Sequence, residues 1–371
     1  MSPVTVCAVL VALLSIRAVR CEDETIGPIF MKEPPNRVDF SNTTGAVVEC
    51  AARGSPPPDV IWVRADGTAV GDVPGLRQVL PNGNLVFPPF RAEDYRQEVH
   101  AQVYACLARN PVGTIHSRDV NVRAVVSQAY AVNLMEEYVL RGNSAILKCH
   151  IPSFVSEYVF VISWIISEDN DVDEINIDSD QHLLDGKYLV LPSGELHIRD
   201  VGPEDGYKSY QCRTKHRLTG ETRLSATKGR LVITEPVGRV SPKFPSMDSS
   251  RSFSATLTDS LTLLCPAQAF PVPIFRWYKF IEGTARKQPV VLNDRVKQVS
   301  GTLIIKEAKV EDSGKYLCVV NNSVGGESVE TVLTVTAPLK STVEPATQTV
   351  DFGRPAVFTC RYEGNPVKTI T

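Results

Sequence analysis

The sequence predicts an all-β chain built as a row of β-sandwiches, and three observations carry that expectation. Seven cysteines beyond residue 25 recur at near-regular intervals, the chain's only three tryptophans follow alternate cysteines at nearly constant offsets, and 23 glycines and 26 prolines punctuate the 371 residues. That density of turn formers, with aromatics at only 7%, suits short strands better than long helices. Hydrophobic residues at 43% and charged residues at 22% are the proportions of a folded globular chain, which excludes intrinsic disorder. The length allows two to four domains. A net charge of -3 provides no general attraction to a phosphate backbone, so nucleic-acid binding is excluded as the main task.

The first element is a targeting segment. Residues 4–16 (VTVCAVLVALLSI) form an apolar run followed by Arg17 and Arg20, which reads as a secretory signal peptide over 1–21. The run is too short to cross a bilayer, and no apolar stretch of membrane-spanning length follows. The expectation is a secreted chain or a piece of a longer protein.

Cys7 and Cys21 lie in or beside that segment, and the other seven define the repeat. Taken in order, Cys50/Cys106, Cys149/Cys212 and Cys265/Cys318 stand 56, 63 and 53 residues apart, leaving Cys360 alone. Cysteine positions leave connectivity open, but the regular spacing favours these pairs. Trp62, Trp164 and Trp277 follow the first cysteines by 12, 15 and 12 residues, and Tyr104, Tyr210 and Tyr316 stand two before the second ones. A disulfide joining two facing sheets needs a large side chain to fill the space beside it, and an indole does so. Side chains alternate along a strand, so residues two before each anchor should point inward. Val48, Leu147 and Leu263 precede the cysteines and Val60, Ile162 and Phe275 precede the tryptophans; all are apolar. Each tyrosine is placed to tie a loop to the sheet edge through its hydroxyl. Zinc binding by these cysteines fails on spacing, since no CxxC or Cys/His cluster exists.

This spacing, with Asp312-Ser313-Gly314-Lys315-Tyr316-Leu317-Cys318 in the third unit and looser versions at Glu93-Asp94-Tyr95 and Glu204-Asp205-Gly206-Tyr207, resembles the immunoglobulin fold, the third unit resembling its I-set. The units are 25–125, 126–235 and 236–336, with 337–371 the truncated start of a fourth, where Cys360 should be unpaired. Longer stretches, 32–40 (KEPPNRVDF), 188–198 (YLVLPSGELHI) and 206–216 (GYKSYQCRTKH), resemble the N-terminal immunoglobulin domains of the arthropod Down syndrome cell adhesion molecule (Dscam) family. That resemblance implies a membrane-anchored extracellular receptor, held to the membrane through a C-terminal region absent here, with its first four domains in a horseshoe. It also implies that alternative exons supply the first halves of domains two and three, and that the activity is isoform-specific homophilic binding in neuronal self-recognition and axon guidance. An immune receptor or opsonin for microbial surfaces is the alternative.

From the last cysteine of one unit to the first of the next the gaps are 43, 53 and 42 residues. The long junction carries Pro236, Pro242 and Pro245, so 236–245 reads as a connector at which the array folds back, bringing unit two near unit three and unit one near a completed unit four. The short junctions should keep their neighbours in line.

Self-recognition is expected through the opening strands of units two and three. A two-fold axis brings a segment antiparallel to its own copy, and a like charge meeting itself is destabilising. Tyr130, Ala131, Val132, Asn133, Leu134 and Met135 carry no charge, and Asp248 and Arg251 are placed symmetrically so that each would meet the other in the second copy. Two further stretches are charged. Residues 168–180 (EDNDVDEINIDSD) partly imitate a calcium loop, but Glu174 replaces the turn glycine and no helices flank it, so the stretch reads as an acidic surface loop between strands or a partner-selecting surface. Residues 208–230 hold seven bases against Glu221, a solvated face, a compensation for the acidic stretch or a contact for glycosaminoglycan. The sequons at Asn42 and Asn321 are expected to be exposed. Six scattered histidines and the absence of GxSxG, HExxH, GxGxxG or P-loop runs predict neither an enzyme nor a cofactor.

Overall fold

The tryptophans and cysteines meet in one geometry three times over. Trp62 stands directly across the ladder from Cys106, Trp164 from Cys212 and Trp277 from Cys318. The computed structural model describes residues 25–169, 171–177, 186–245, 250–345 and 348–367. In it the disulfides are Cys50–Cys106, Cys149–Cys212 and Cys265–Cys318, each joining Cα atoms 6.4–6.5 Å apart. The signal segment, with Cys7 and Cys21, lies outside the described residues. No helix among the described residues is long and apolar enough to cross a membrane.

Each indole is also fixed by a hydrogen bond whose acceptor the spacing argument missed. Trp62, Trp164 and Trp277 donate from Nε1 to the carbonyls of Gly83, Gly194 and Gly301 at 2.8, 2.9 and 3.2 Å. Gly83 and Gly194 sit at φ +87° and +96°, and a Cβ on either would strike Val60 or Val161. The signal was legible as a glycine two before a leucine in PNGNL, PSGEL and VSGTL. The tyrosines tie loops as expected: Tyr104, Tyr210 and Tyr316 donate to the carbonyls of Val99, Asp205 and Asp312 at 2.8, 3.2 and 2.7 Å.

The corner beneath each tyrosine differs. Asp312 takes a two-pronged bond from Arg295 at 2.6 and 2.9 Å, and Asp205 pairs with Lys187 at 2.7 Å. In the first sandwich Glu93-Asp94-Tyr95 is not that corner. Asp94 is half-buried and paired with Arg91, while a helical turn at Gln97–His100 buries His100, whose Nδ1 accepts from the Arg96 N–H at 3.0 Å as the carboxylates of Asp205 and Asp312 accept from the Gly202 and Lys309 N–H groups. Arg77 accordingly bonds to neutral partners, the Tyr104 hydroxyl at 3.0 Å and the Gly71 carbonyl at 2.8 Å. A second correction concerns Ile162. A bulge between Val161 and Ser163 shifts the phase, so Val161 enters the core and Ile162 does not.

The chain forms two compact units, one ending at Gln128 and the other beginning at Ala129. The first holds one sandwich: strands Arg37–Ser41, Val120–Val125, Ala101–Asn110 and Asp59–Arg64 in one sheet, faced by Ala46–Val48, Leu85–Phe87 and Gln78–Val79. The second unit holds two sandwiches of the same plan and, beyond them, a two-stranded pairing. Strand Gly326–Glu344 runs without a break out of the third sandwich, and Thr359–Asn365 pairs back upon it. Cys360 on this hairpin is exposed and unbridged.

The second and third sandwiches pack face to face. Strands of an antiparallel sandwich normally alternate between core and solvent. Leu196–Ile198 and Thr302–Ile305 instead are buried at every position. Leu196, Ile198, Leu303 and Ile305 fill their own cores, whereas Leu191, Val299 and Ile304 form a separate cluster between the sandwiches with Leu189 and Leu264. Two amide side chains clasp the seam. Asn143 donates from Nδ2 to the Ala269 carbonyl and accepts from its N–H, both at 3.0 Å. Gln268 accepts from the Leu140 N–H at 2.8 Å and donates to the Tyr138 carbonyl at 2.9 Å. Unit two therefore lies against unit three, as the long junction led us to expect. The junction is shorter than anticipated, because Val240–Lys243 is an edge strand paired with Gln268–Phe270, its Pro242 lying at an irregularity in the register where no ladder N–H is needed.

Candidate recognition surface

Residues 130–135 are not a free strand. Val132 and Leu134 are buried in the core of the second sandwich, Tyr130 packs against it, and Ala131, Asn133 and Met135 face solvent. Much of the main chain is already engaged. The Asn133 N–H and carbonyl exchange bonds with His150 at 3.2 and 2.8 Å. The Val132 carbonyl accepts from the Ala226 N–H at 2.8 Å, and the Thr227 hydroxyl serves both the N–H and the carbonyl of Leu134 at 2.7 and 2.9 Å. Strand addition at residues 132–134 is therefore disfavoured, and a contact there falls to the three outward side chains. Arg223 fixes the start of the segment, donating to the Tyr130 carbonyl at 2.9 Å with its guanidinium 4.4 Å from the ring centre.

In the third sandwich, Ser250–Thr256 pairs in parallel with Gly326–Glu344 and forms the edge of a six-stranded sheet, Arg251 lying opposite Thr331. Asp248, the other half of the charge-symmetric pair, lies outside the described residues.

These two segments sit on domains with close relatives. The family model described as immunoglobulin I-set domain matches residues 245–335. Cell adhesion molecule Dscam1 of Drosophila melanogaster is 66% identical over 98% of this chain, and human cell adhesion molecule DSCAM is 34% identical over 94% of it. The crystal structure of the N-terminal four Ig domains of Dscam1 isoform 7.44 superposes with a TM-score of 0.88 at 71% identity, covering 93% of this chain and 87% of that one. The chain belongs to the Dscam family of cell adhesion molecules. A further Dscam structure, described as the structural basis for Dscam isoform specificity, is 69% identical over 92% of the chain with a TM-score of 0.81. The chain spans 18% of the Drosophila protein's length and 16% of the human one's.

Within this Dscam chain the charged stretches compensate one another in part. The described part of 168–180 is a hairpin, Val159–Glu168 paired with Asp171–Asn176, rather than a calcium loop; Asp180 lies outside the described residues. Arg213 grips Glu174 with two bonds at 2.7 and 3.1 Å, holding that carboxyl below the usual carboxylate range, and Lys208 reaches Glu168 at 3.6 Å. Arg223 pairs with Glu221, and Arg217 lies over the Phe160 ring at 5.7 Å. The basic stretch is thus less of an anion site than its composition suggested.

Asn42 also departs from expectation. It is buried: its Nδ2 donates to the Phe90 carbonyl at 3.0 Å and its Oδ1 accepts from the Ser127 N–H at 2.8 Å, stapling the end of the first sandwich. Asn42→Ala would strand both partners and should destabilise the first sandwich by about 1–3 kcal/mol. Hydrogen exchange at strand Asp59–Arg64 in rising urea checks this, and an unchanged midpoint would show that the staple contributes nothing.

Proposed function

We propose that this chain is the self-recognition end of an extracellular adhesion receptor and binds a second copy of itself, as its family membership suggests. The observation that carries the reading is the pattern at 130–135. The outward residues Ala131, Asn133 and Met135 are uncharged and evenly spaced about Asn133. A two-fold axis through that residue sets Asn133 against Asn133, and Ala131 of each copy against Met135 of the other, small against large. In the third sandwich the edge strand beginning at Ser250 supplies a second contact, Asp248 of one copy meeting Arg251 of the other. Charge pairs between copies select the register more than they add affinity. No observation favours microbial surfaces or glycosaminoglycan as the ligand.

Opposed charges at the axis test the pairing. Asn133→Asp and Asn133→Lys should each weaken self-association at least about tenfold in analytical ultracentrifugation, equivalent to about 1.4 kcal/mol. A mixture of the two variants should associate again. Self-association of Asn133→Asp at wild-type strength would place the contact elsewhere.

A further inference from the structure

The two sequons are treated oppositely by the fold, and one of them lies beside an exposed apolar side chain. Attachment of an N-linked oligosaccharide uses the amide nitrogen as nucleophile and leaves a bulky group upon it. At Asn42 that nitrogen is buried and donates to Phe90, while the same residue's main chain is bonded to Val125 and Phe90. A glycan there is incompatible with the folded first sandwich. Asn321 is exposed at the end of strand Gly314–Asn321, and Ser323, the third residue of its sequon, is exposed as well.

The ladder shows what lies next to Asn321. It stands directly opposite Ile274, so the two side chains rise from the same face of the sheet, Cβ atoms roughly 5 Å apart. Their neighbours in the same register, Phe275 and Val320, point the other way into the core. Ile274 is 67% exposed, an apolar residue on an outer sheet face that the described residues leave mostly open. An oligosaccharide on Asn321 leaves the sheet where it can lie across that side chain.

We infer that Asn321 is the modified sequon, that its first sugars cover Ile274, and that Asn42 stays bare. In the transfer, Nδ2 of Asn321 attacks the anomeric carbon of a lipid pyrophosphate-linked oligosaccharide. The C–N bond forms as the C–O bond to pyrophosphate breaks, the amide nitrogen gives up one proton, and the lipid pyrophosphate departs. The reaction belongs to the secretory lumen, the compartment in which the three disulfides form. The assignment uses none of residues 130–135, so its outcome does not bear on the self-recognition reading.

Glycopeptide mass spectrometry of the secreted full chain is the test. The peptide containing Asn321 should carry glycan, the one containing Asn42 should not, and Ser323→Ala should remove one glycan mass. A bare Asn321 in the secreted protein, or an occupied Asn42 in its folded fraction, overturns the assignment. For the covering of Ile274, Ser323→Ala should raise binding of a hydrophobic dye, and adding Ile274→Ser should return it to the wild-type level. Dye binding that ignores loss of the glycan overturns that part.

Discussion

Lowering the pH from 7 to 5 should cost the two-sandwich unit about 2 kcal/mol of stability through His197 alone, because its folded pKa of about 4 lies well below the ordinary 6.5. His197 is 1% exposed at the seam, and burial pushes its pKa down, with Arg199 adding to the effect. Its Nδ1 lies 3.2 Å from the Thr302 hydroxyl of the other sandwich, and Nε2 is buried without a hydrogen-bond partner among the described residues. Its neighbours in the ladder, Ile146 and Leu189, are apolar, so no carboxylate there stabilises an imidazolium. The unfolded chain thus takes up the proton first as pH falls. Stability from the neutral ring is nearly whole above pH 6.5, falls away through pH 5, and reaches its full loss near pH 4, below which both states are protonated. Hydrogen exchange at Leu196–Ile198 and Thr302–Ile305 reads the seam directly. Protection there should drop between pH 7 and 5 in the wild type after correction for the intrinsic rate, and drop less in His197→Gln. Parallel pH dependence in the two proteins would show that His197 does not control it.

The second large effect is loss of the Cys149–Cys212 bridge. Its loop of 63 residues corresponds to about 4 kcal/mol in the chain-entropy account, a large share of the roughly 5–15 kcal/mol that holds a domain. Removing both cysteines as Cys149→Ala and Cys212→Ala should cut the secreted yield sharply. It should also expose the seam, because Leu196 and Ile198 pack in the same core as the bridge while His197 lies on the opposite face of that strand. Exchange protection at Thr302–Ile305 should fall although the third sandwich keeps its own disulfide. The equivalent change at Cys50 and Cys106, in the other compact unit, should leave that protection unchanged. Equal loss from both double variants would refute the coupling.

These two expectations draw on different kinds of information. The bridge was legible in the sequence because a strand repeats every two residues. A cysteine, a tryptophan twelve to fifteen residues on and a tyrosine two before the next cysteine state which faces must meet, whatever surrounds them. Family resemblance lay in the same residues and their immediate neighbours. The regular repeat could not show Ile162 displaced by a bulge, since one extra residue exchanges the faces without altering composition. Nor could it show that Glu93-Asp94-Tyr95 would yield its place at the corner to His100.

What covers a face was settled only in three dimensions. The lack of alternation in Thr302-Leu303-Ile304-Ile305 was visible in the sequence, but its meaning rested on His197, 105 residues earlier in the chain. The clasp of Asn143 on Ala269 spans 126 residues and the pairing of Arg213 with Glu174 spans 39. Asn42 reads as an open sequon until Phe90 and Ser127 close upon its amide. The sequence by itself determined the three sandwiches and the family, because those follow from short-range spacing of side chains. The seam, the outward trio at 131, 133 and 135 and the burial of the Asn42 amide were decided by tertiary structure. Burial and hydrogen bonding depend on which distant surfaces come into contact, and a local pattern does not specify them.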